Sequence, residues 1–219
     1  MVTYAEIRKN PEINTYIEQA DGTMAAMGFT DHGRAHVTKA AETAAMILTS
    51  LGYDERTVEL AKIAGYLHDI GNLVNRTHHA ETGAVMAFRL LNGMGMDPAE
   101  ISTVVSAIGN HDEGTGFPVN AVSAALILAD KTDVRRSRVR NRDIATFDIH
   151  DRVNYSVVES RLTLSDDKQE VILRLKIDTT ISAVMDYFEI FLTRMVMSRK
   201  AAEKLNLRFR LYINEQAVL

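Results

Sequence analysis

Histidine and aspartate are the residues of this chain whose spacing could support chemistry. Six of the seven histidines lie between residues 32 and 111, and His68 stands directly before Asp69 in the apolar run "AGYLHDIGN". An apolar helix that ends by burying two titratable groups needs a partner that offsets their lost hydration. Imidazole nitrogens and carboxylate oxygens suit divalent ions such as iron, manganese or zinc. The pair therefore indicates a metal site, with an ordinary ion pair at a helix end as the alternative.

The other candidate ligands fall at or near the ends of separate helical segments. They are His36, His79, His111 and Asp130. A single buried histidine is more often structural than a metal ligand, but helix ends that converge in a bundle can bring such groups to one point. The clustering therefore favours one shared site over separate structural histidines.

Composition limits the class of protein. The chain has 219 residues, 46% hydrophobic and 25% charged, with a net charge of −4. These values are typical of a globular protein, and so small a charge gives no overall field for nucleic acid or an anionic membrane. The absence of cysteine excludes disulfides, thiolate zinc sites and thiol catalysis. The N-terminal segment lacks the basic and apolar pattern of a signal peptide, so we expect a cytoplasmic protein without membrane contact.

The elements that must position these groups are mainly helices. Over residues 1–146 the apolar positions recur at three and four, and glycine or a capping residue separates successive segments. Asp54 is expected to cap the helix that runs into His68, and "DPAEIS" predicts a capping box between Asp97 and Glu100. We predict helices over residues 12–27, 33–51, 54–67, 79–92, from 97 onward and 120–136.

A small α+β module is predicted from residue 147. "EVILRLKI" alternates apolar and charged positions as a half-buried strand does, and "RVNYSVVESRLTL" is its expected antiparallel hairpin partner. Residues 181–204 return to helical spacing, and "RFRLYIN" alternates again. We expect a mainly α fold, with a helical domain over 1–146 and a module over 147–219 whose strands are antiparallel. Exposed strand edges in that module would favour homodimerisation.

The order of these motifs resembles the HD superfamily of metal-dependent phosphohydrolases. "DHGRAHVTKAA" matches the first segment with His36 as ligand, "AGYLHDIGN" matches the second, and "ALILADKTD" matches the last with Asp130 as ligand. The resemblance covers roughly residues 30–136 and depends on the joint occurrence of the motifs, since each alone is weak. It implies an HD-type helical bundle.

The middle of the chain is similar to two-metal members of the superfamily. "HHAETGA" matches their HxxxGA segment at His79, and "IGNHDEGTGFP" resembles, at His111, the segment that names the HD-GYP cyclic-dinucleotide phosphodiesterases. Asp112 stands where those enzymes have histidine and Phe117 where they have tyrosine, so the cyclic di-GMP substrate is not carried over. The resemblance implies two transition-metal ions held by His36, His68, Asp69, His79, His111 and Asp130.

A dinuclear site of this kind implies a metal-dependent phosphohydrolase. Asp69 would bridge the ions, and two ions about 3.5–4 Å apart can activate a hydroxide while they polarise a phosphoryl oxygen. The expected substrate is a nucleotide or another small phosphorylated metabolite, not a nucleic acid. Two alternatives remain open, a di-iron oxygenase similar to myo-inositol oxygenase and a non-catalytic regulatory module that binds a structural metal.

Basic residues beside the predicted ligands are candidates for phosphate binding. "KTDVRRSRVRNR" holds six basic residues in twelve; Lys131 matches a lysine frequent at this place in HD hydrolases, and Arg135 lies one turn on. Lys39, one turn beyond His36, is a further candidate. The alternative is a solvated helix end, where cations meet the C-terminal dipole.

The predicted catalytic residues are Asp69, Lys131 and Asp112. Asp112 lies beside His111 and could protonate the leaving group. Glu113 and His32 are further candidates for this proton transfer, and ordinary loop charge is the alternative for both acids.

Overall fold

Nine α-helices and a four-stranded sheet form the fold, in a computed structural model that describes residues 1–219. A mainly α chain with a small C-terminal sheet was expected, and the structure confirms it. None of the helices is long and apolar enough to cross a membrane. The elements are α1 (Tyr4–Lys9), α2 (Pro11–Ala26), α3 (Arg34–Ser50), α4 (Glu55–Leu67), α5 (His79–Gly93), α6 (Pro98–Gly109), α7 (Ala121–Lys131), α8 (Ile149–Ser156), β1 (Val157–Leu164), β2 (Glu170–Ile177), α9 (Val184–Lys204), β3 (Arg208–Ile213) and β4 (Gln216–Ala217).

Side-chain caps set the boundaries of the helices that lead to the candidate site. Asp54 accepts a hydrogen bond from the backbone amide of Thr57 and begins α4, as predicted. Asp97 caps α6 in the same way, but the predicted capping box is wrong. The carboxylate of Glu100 binds the guanidinium of Arg56 instead, with Nε and Oε1 2.6 Å apart.

Helix α7 ends at Lys131, earlier than the predicted residue 136. The backbone turns at this point, since the amide of Asp133 donates to the carbonyl of Asp130. The turn directs the buried side chain of Asp133 toward His36, an arrangement that a continuing helix would not give.

The sheet has the strand order β1-β2-β3-β4 and is mixed. Strands β1 and β2 pair antiparallel, β2 and β3 pair parallel, and β3 and β4 pair antiparallel. The prediction of antiparallel strands alone is therefore wrong for β2 and β3, because α9 crosses over between them as a parallel connection requires. The predicted hairpin partner also begins later, since Asp148 caps α8 and β1 starts only at Val157.

One hydrophobic core of 50 buried residues runs through the molecule. Helix α9 packs on α7 and on β3, so the core extends from the N-terminal helices to the sheet. The apolar positions of β2 point into it, as the alternating pattern indicated: Val171, Leu173, Leu175 and Ile177. The division of the chain at residues 146 and 147 stays a prediction.

Candidate metal centre

The close packing of α3 against α4 brings the first two candidate ligands together. A Cβ atom at Gly65 of α4 would lie 2.6 Å from the Cα atom of Ala41 on α3, so only glycine permits this approach. His36 lies in the first turn of α3, and His68 directly follows α4. Their ring centroids are 5.2 Å apart.

Two imidazoles and two carboxylates form the first half of the centre. His36 Nε2 lies 3.3 Å from Asp130 Oδ1, and His68 Nε2 lies 3.3 Å from Asp69 Oδ2. The two remaining distances between these nitrogens and oxygens are both 3.6 Å. Both Nε2 atoms are buried and lack a hydrogen-bond partner. Buried polar atoms of this kind ordinarily have a partner, so their direction points to a ligand at this position.

His79 and His111 form the second half, on the other side of Asp69. Their Nε2 atoms are 3.2 Å apart. Asp69 Oδ1 lies 3.6 Å from His79 Nε2 and 3.9 Å from His111 Nε2. Each oxygen of the Asp69 carboxylate therefore faces a different pair of imidazoles.

The outer ring nitrogen of each histidine is held by a hydrogen bond. The acceptors of the Nδ1–H groups are the carboxylate of Asp133 for His36 (2.9 Å) and the carbonyl oxygens of Gly65 for His68 (2.8 Å), Arg76 for His79 (3.0 Å) and Ile108 for His111 (2.6 Å). Such bonds fix the tautomer and direct the Nε2 lone pair toward the centre, as around metal-bound imidazoles.

The donor set fits divalent metal ions. His36, His68 and Asp130 form one group that could hold an ion, and His68, Asp69 and His111 form another. Two nitrogens about 2.1 Å from one ion would be roughly 3.4 Å apart at a tetrahedral angle, which is close to the 3.2 Å between the His79 and His111 nitrogens. Nitrogen and oxygen donors without thiolate suit iron, manganese or zinc.

The buried carboxylates of Asp69 and Asp130 favour a positive charge beside them. Burial alone would lower the pKa of His68, but Asp69 and Asp130 outweigh it and raise that pKa to about 10. Burial opposes the ionisation of Asp69, yet His68 and neighbouring imidazoles hold the pKa of Asp69 well below its usual value. A proton on His68 or a divalent cation can supply the required charge, and metal binding would displace that proton.

Asp133 is a site residue that the sequence pattern did not single out. It is buried, accepts from His36 Nδ1, and also contacts Lys39 Nζ and Arg135 Nε, both at 2.8 Å. Burial disfavours its charged form, but His36 and the surrounding cations lower the pKa of Asp133 below its usual range. Lys39 and Arg135, predicted to bind phosphate, thus contact Asp133 here. No local pattern marks Asp133, because its direction depends on the turn that follows α7.

Lys131 is buried between two carboxylates. Its Nζ lies 2.8 Å from Asp130 Oδ2 and 3.0 Å from Glu113 Oε2. Burial disfavours the ammonium, but the two carboxylates outweigh it and raise the pKa of Lys131. Lys131, which was predicted to bind phosphate, therefore forms ion pairs with Asp130 and Glu113. It is not the solvated lysine that the alternative interpretation expected.

Glu113 is held as a carboxylate by two cations. Besides Lys131, it accepts from Nε of Arg194, a residue of α9, at 2.7 Å. Burial disfavours the charge, but these cations lower the pKa of Glu113 far below its usual value. Glu113 is thereby a poor proton donor, and the expectation that it could protonate a leaving group does not fit the structure.

Two other predicted groups lie at the edge of the centre. Asp112 Oδ1 is 4.0 Å from His79 Nε2, and its side chain remains partly exposed. The ring of His32 is 5.6 Å from that of His36, and its Nδ1 binds the carbonyl of Thr30 at 2.6 Å. Burial lowers the pKa of His32 well below the usual value, so it would be neutral.

Asn72 and Arg76 also contact the ligands and were missed in the sequence. The amide of Asn72 donates to Asp69 Oδ1 at 2.9 Å. Arg76 Nη1 lies 3.3 Å from both His79 Nε2 and Asn72 Oδ1. Asn72 is the last residue of the "HDIGN" motif. No local sequence pattern around Arg76 predicts that its side chain points toward His79.

The chain is similar in sequence to several known proteins. The chain is 27% identical over 197 residues to the uncharacterized protein MJ1020 of Methanocaldococcus jannaschii, covering 78% of this chain and 75% of that protein. It is 30% identical over 115 residues to ribonuclease Y of Enterococcus faecalis, covering 51% of this chain and 20% of that protein. A predicted HD superfamily hydrolase from an uncultured Thermotogales bacterium is a solved structural neighbour, with 25% identity, a TM-score of 0.45 and coverage of 62% of this chain and 75% of that chain.

The profile of the HD domain matches residues 34–152, which is more than half of the chain. The matched region contains every residue of the candidate metal centre from His36 to Asp133. The chain therefore belongs to the HD domain family.

Proposed function

We propose that the protein is a metal-dependent phosphohydrolase that cleaves the phosphate ester of a nucleotide or another small phosphorylated metabolite. Two divalent transition-metal ions per chain would be bound by His36, His68, Asp69, His79, His111 and Asp130. The observation that carries this proposal is the position of Asp69, whose two oxygens face different pairs of imidazoles at 3.3–3.9 Å.

The residues around the centre have separate parts in this proposal. Bound ions would polarise a phosphoryl oxygen and lower the pKa of a coordinated water. The imidazoles are held in place through Nδ1, and Lys131 holds both Asp130 and Glu113. Asp112 is partly exposed beside His79, which leaves it as the side chain placed to give a proton to the leaving group.

Charge supports a small substrate over a nucleic acid. The protein has a net charge of −4, and the basic run after Asp130 is largely committed to ion pairs within the chain, through Lys131, Arg135, Arg138 and Arg140. Ribonuclease Y is by its name a nuclease, but the chain matches only 20% of it. We also propose a cytoplasmic homodimer.

Metal-dependent hydrolysis tests the proposed function. Protein purified without added ions would be assayed for phosphate release from p-nitrophenyl phosphate, its bis ester, nucleotides, sugar phosphates and an RNA oligonucleotide. We expect release from small esters, its loss on chelation, and its recovery with manganese, iron or zinc. Oxygen consumption with myo-inositol and no phosphate release would indicate the oxygenase, and bound metal without turnover would indicate a regulatory module.

A further inference from the structure

A polar cleft opens beside the second half of the metal centre. It has a volume of about 290 Å³, and His79 and Asp112 form part of its wall. No hydrophobic residue lines it. The cleft therefore leads from solvent to His79, one of the two imidazoles that face Asp69 Oδ1.

Arg76 is the cation of this cleft. Its Nη1 is 3.3 Å from His79 Nε2 and 4.0 Å from Asp69 Oδ1, and its side chain is partly exposed. No carboxylate oxygen lies closer to the guanidinium. By contrast, the three cations predicted to bind phosphate each have a carboxylate oxygen at 2.8 Å: Lys39, Lys131 and Arg135. Of these four cations, Arg76 is therefore the one without a carboxylate oxygen within hydrogen-bond distance.

The guanidinium of Arg76 is chemically suited to phosphate. It offers five N–H donors in a planar fork that matches two phosphoryl oxygens. A phosphoryl group at the inner end of the cleft would contact the guanidinium of Arg76 on its cleft side, next to the imidazole of His79. Its ester oxygen would then be near Asp112, which shares the cleft wall.

The rest of the cleft offers hydrogen-bonding groups only. Glu81 accepts from the hydroxyl of Thr115 at 3.2 Å and retains free acceptor capacity. His78 is exposed and adopts a left-handed backbone conformation, with φ of 60°, that non-glycine residues rarely take. Strained residues of this kind cluster at ligand sites.

This lining offers little of the apolar surface that is usual around a nucleobase. Sites for aromatic ligands are mostly apolar, with a few placed polar groups. The cleft has no aliphatic wall and no phenyl or indole ring, and its only aromatic rings are the imidazoles of His78 and His79. Its carboxylates and hydroxyls complement the hydroxyl groups of a polyol.

We propose that Arg76 binds the substrate phosphate and that the cleft binds the phosphomonoester of a hydroxyl-rich, sugar-like alcohol in preference to a nucleotide. This inference rests on the proposed function, because the second half of the metal centre would hold the same phosphoryl group.

Binding of inorganic phosphate tests the role of Arg76 without turnover. Calorimetric titration would compare the wild type as purified with Arg76→Gln and Arg76→Lys, and metal content would be measured in each. We expect Arg76→Gln to weaken phosphate binding about 10- to 100-fold, Arg76→Lys to weaken it less, and the metal content to stay unchanged. The control is Arg89→Gln, at an exposed arginine of α5 that does not line the cleft.

Two results would overturn the assignment of Arg76. Wild-type phosphate affinity in Arg76→Gln would show that the guanidinium does not bind phosphate. Loss of metal from both Arg76 variants would show that Arg76 supports the centre and not the substrate.

A substrate comparison tests the proposed class. We expect kcat/KM for sugar phosphates to exceed that for nucleoside monophosphates at least about tenfold, and Glu81→Gln to reduce that preference by lowering kcat/KM for sugar phosphates. Preference for nucleotides would overturn the substrate class while leaving the phosphohydrolase intact. If no ester is hydrolysed, the proposed function is contradicted, and the calorimetric titration decides the role of Arg76 by itself.

Discussion

At the scale of single residues, the direction of each ring at the centre depends on the partner of its outer nitrogen. Three of the four imidazoles donate to backbone carbonyls, which no substitution removes. His36 instead donates to the side chain of Asp133, a buried carboxylate also held by Lys39 and Arg135. Asp133 is therefore the position where the orientation of a ligand can be changed without touching the ligand.

Asp133→Asn should weaken metal binding while leaving all six ligands in place. The amide is neutral and can present a donor to His36, so the ring loses the acceptor that fixes its tautomer. Changes to such outer partners typically cost about 10- to 100-fold in metal affinity. Competition titration with a chromogenic chelator would measure the effect, with His150→Gln as the control at the histidine outside the cluster. Equal metal affinity in Asp133→Asn and the wild type would contradict this role.

Lys131→Met should lower the stability of the protein. The substitution keeps most of the side-chain length but leaves Asp130 without its ammonium partner, and breaking a buried ion pair typically costs about 3–5 kcal/mol. Urea unfolding would measure the loss, with the exposed Lys200→Met as a control. If stability were unchanged and only KM for a phosphorylated substrate rose, the phosphate-binding role predicted from the sequence would be correct.

The sequence pattern singled out the six side chains that the structure brings together, because these histidines and aspartates occur in a recognisable order at the ends of successive helices. It did not show what Lys39, Arg135 and Lys131 contact. Their partners depend on the turn after α7, where Asp133 points inward, and on Arg194 of α9, which is distant in sequence. Pairings of this kind arise from tertiary packing and leave no local periodicity.

At the scale of elements, the distance between the first two ligands is set by the crossing of α3 and α4. Gly65→Ala would place a Cβ atom 2.6 Å from Ala41 Cα, so the helices must separate. We expect a loss of at least about 2 kcal/mol of stability from overpacking, together with weaker metal binding because His36 and His68 move apart. Thermal unfolding and metal titration would measure both effects.

Gly22→Ala is the matched control for this substitution. Gly22 is exposed in α2, and a Cβ atom there would meet no other atom within 4 Å. Alanine should stabilise α2 by about 0.5–1 kcal/mol because it has the higher helix propensity. Equal effects of the two substitutions would mean that the α3–α4 crossing is not tightly packed at Gly65.

The helices were more predictable from the sequence than the sheet. Caps such as Asp54 and apolar spacing act within one turn, so most helix boundaries followed from local chemistry. "RVNYSVVESRLTL" contains both a capped helical turn and an alternating strand, and only packing decides that α8 occupies its first part. The parallel pairing of β2 with β3 depends on α9 crossing between them, which strand periodicity does not reveal.

At the scale of the whole molecule, residues 147–219, called the tail below, are joined to the candidate metal centre by packing and by charge. The core includes residues from both predicted units, and α9 packs on α7. Arg194 of α9 binds Glu113, which binds Lys131 beside the candidate ligand Asp130. The tail therefore contributes to the environment of the centre.

Thermal unfolding should proceed as one cooperative transition. A shared core leaves neither part with a complete hydrophobic interior of its own, so we expect the calorimetric and van't Hoff enthalpies of the metal-free protein to agree. Differential scanning calorimetry measures both quantities. Two separated transitions would instead support residues 147–219 as an independent module.

The central claim is that Asp69 bridges two metal ions, and the metal content of Asp69→Asn tests it most directly. Asparagine keeps the shape of the side chain but removes the charge that compensates two neighbouring cations. Elemental mass spectrometry of protein purified without added ions should find close to two transition-metal ions per chain in the wild type and in His150→Gln. It should find at most about one in Asp69→Asn. Two ions per chain in Asp69→Asn, or a single ion in the wild type, would contradict the dinuclear centre.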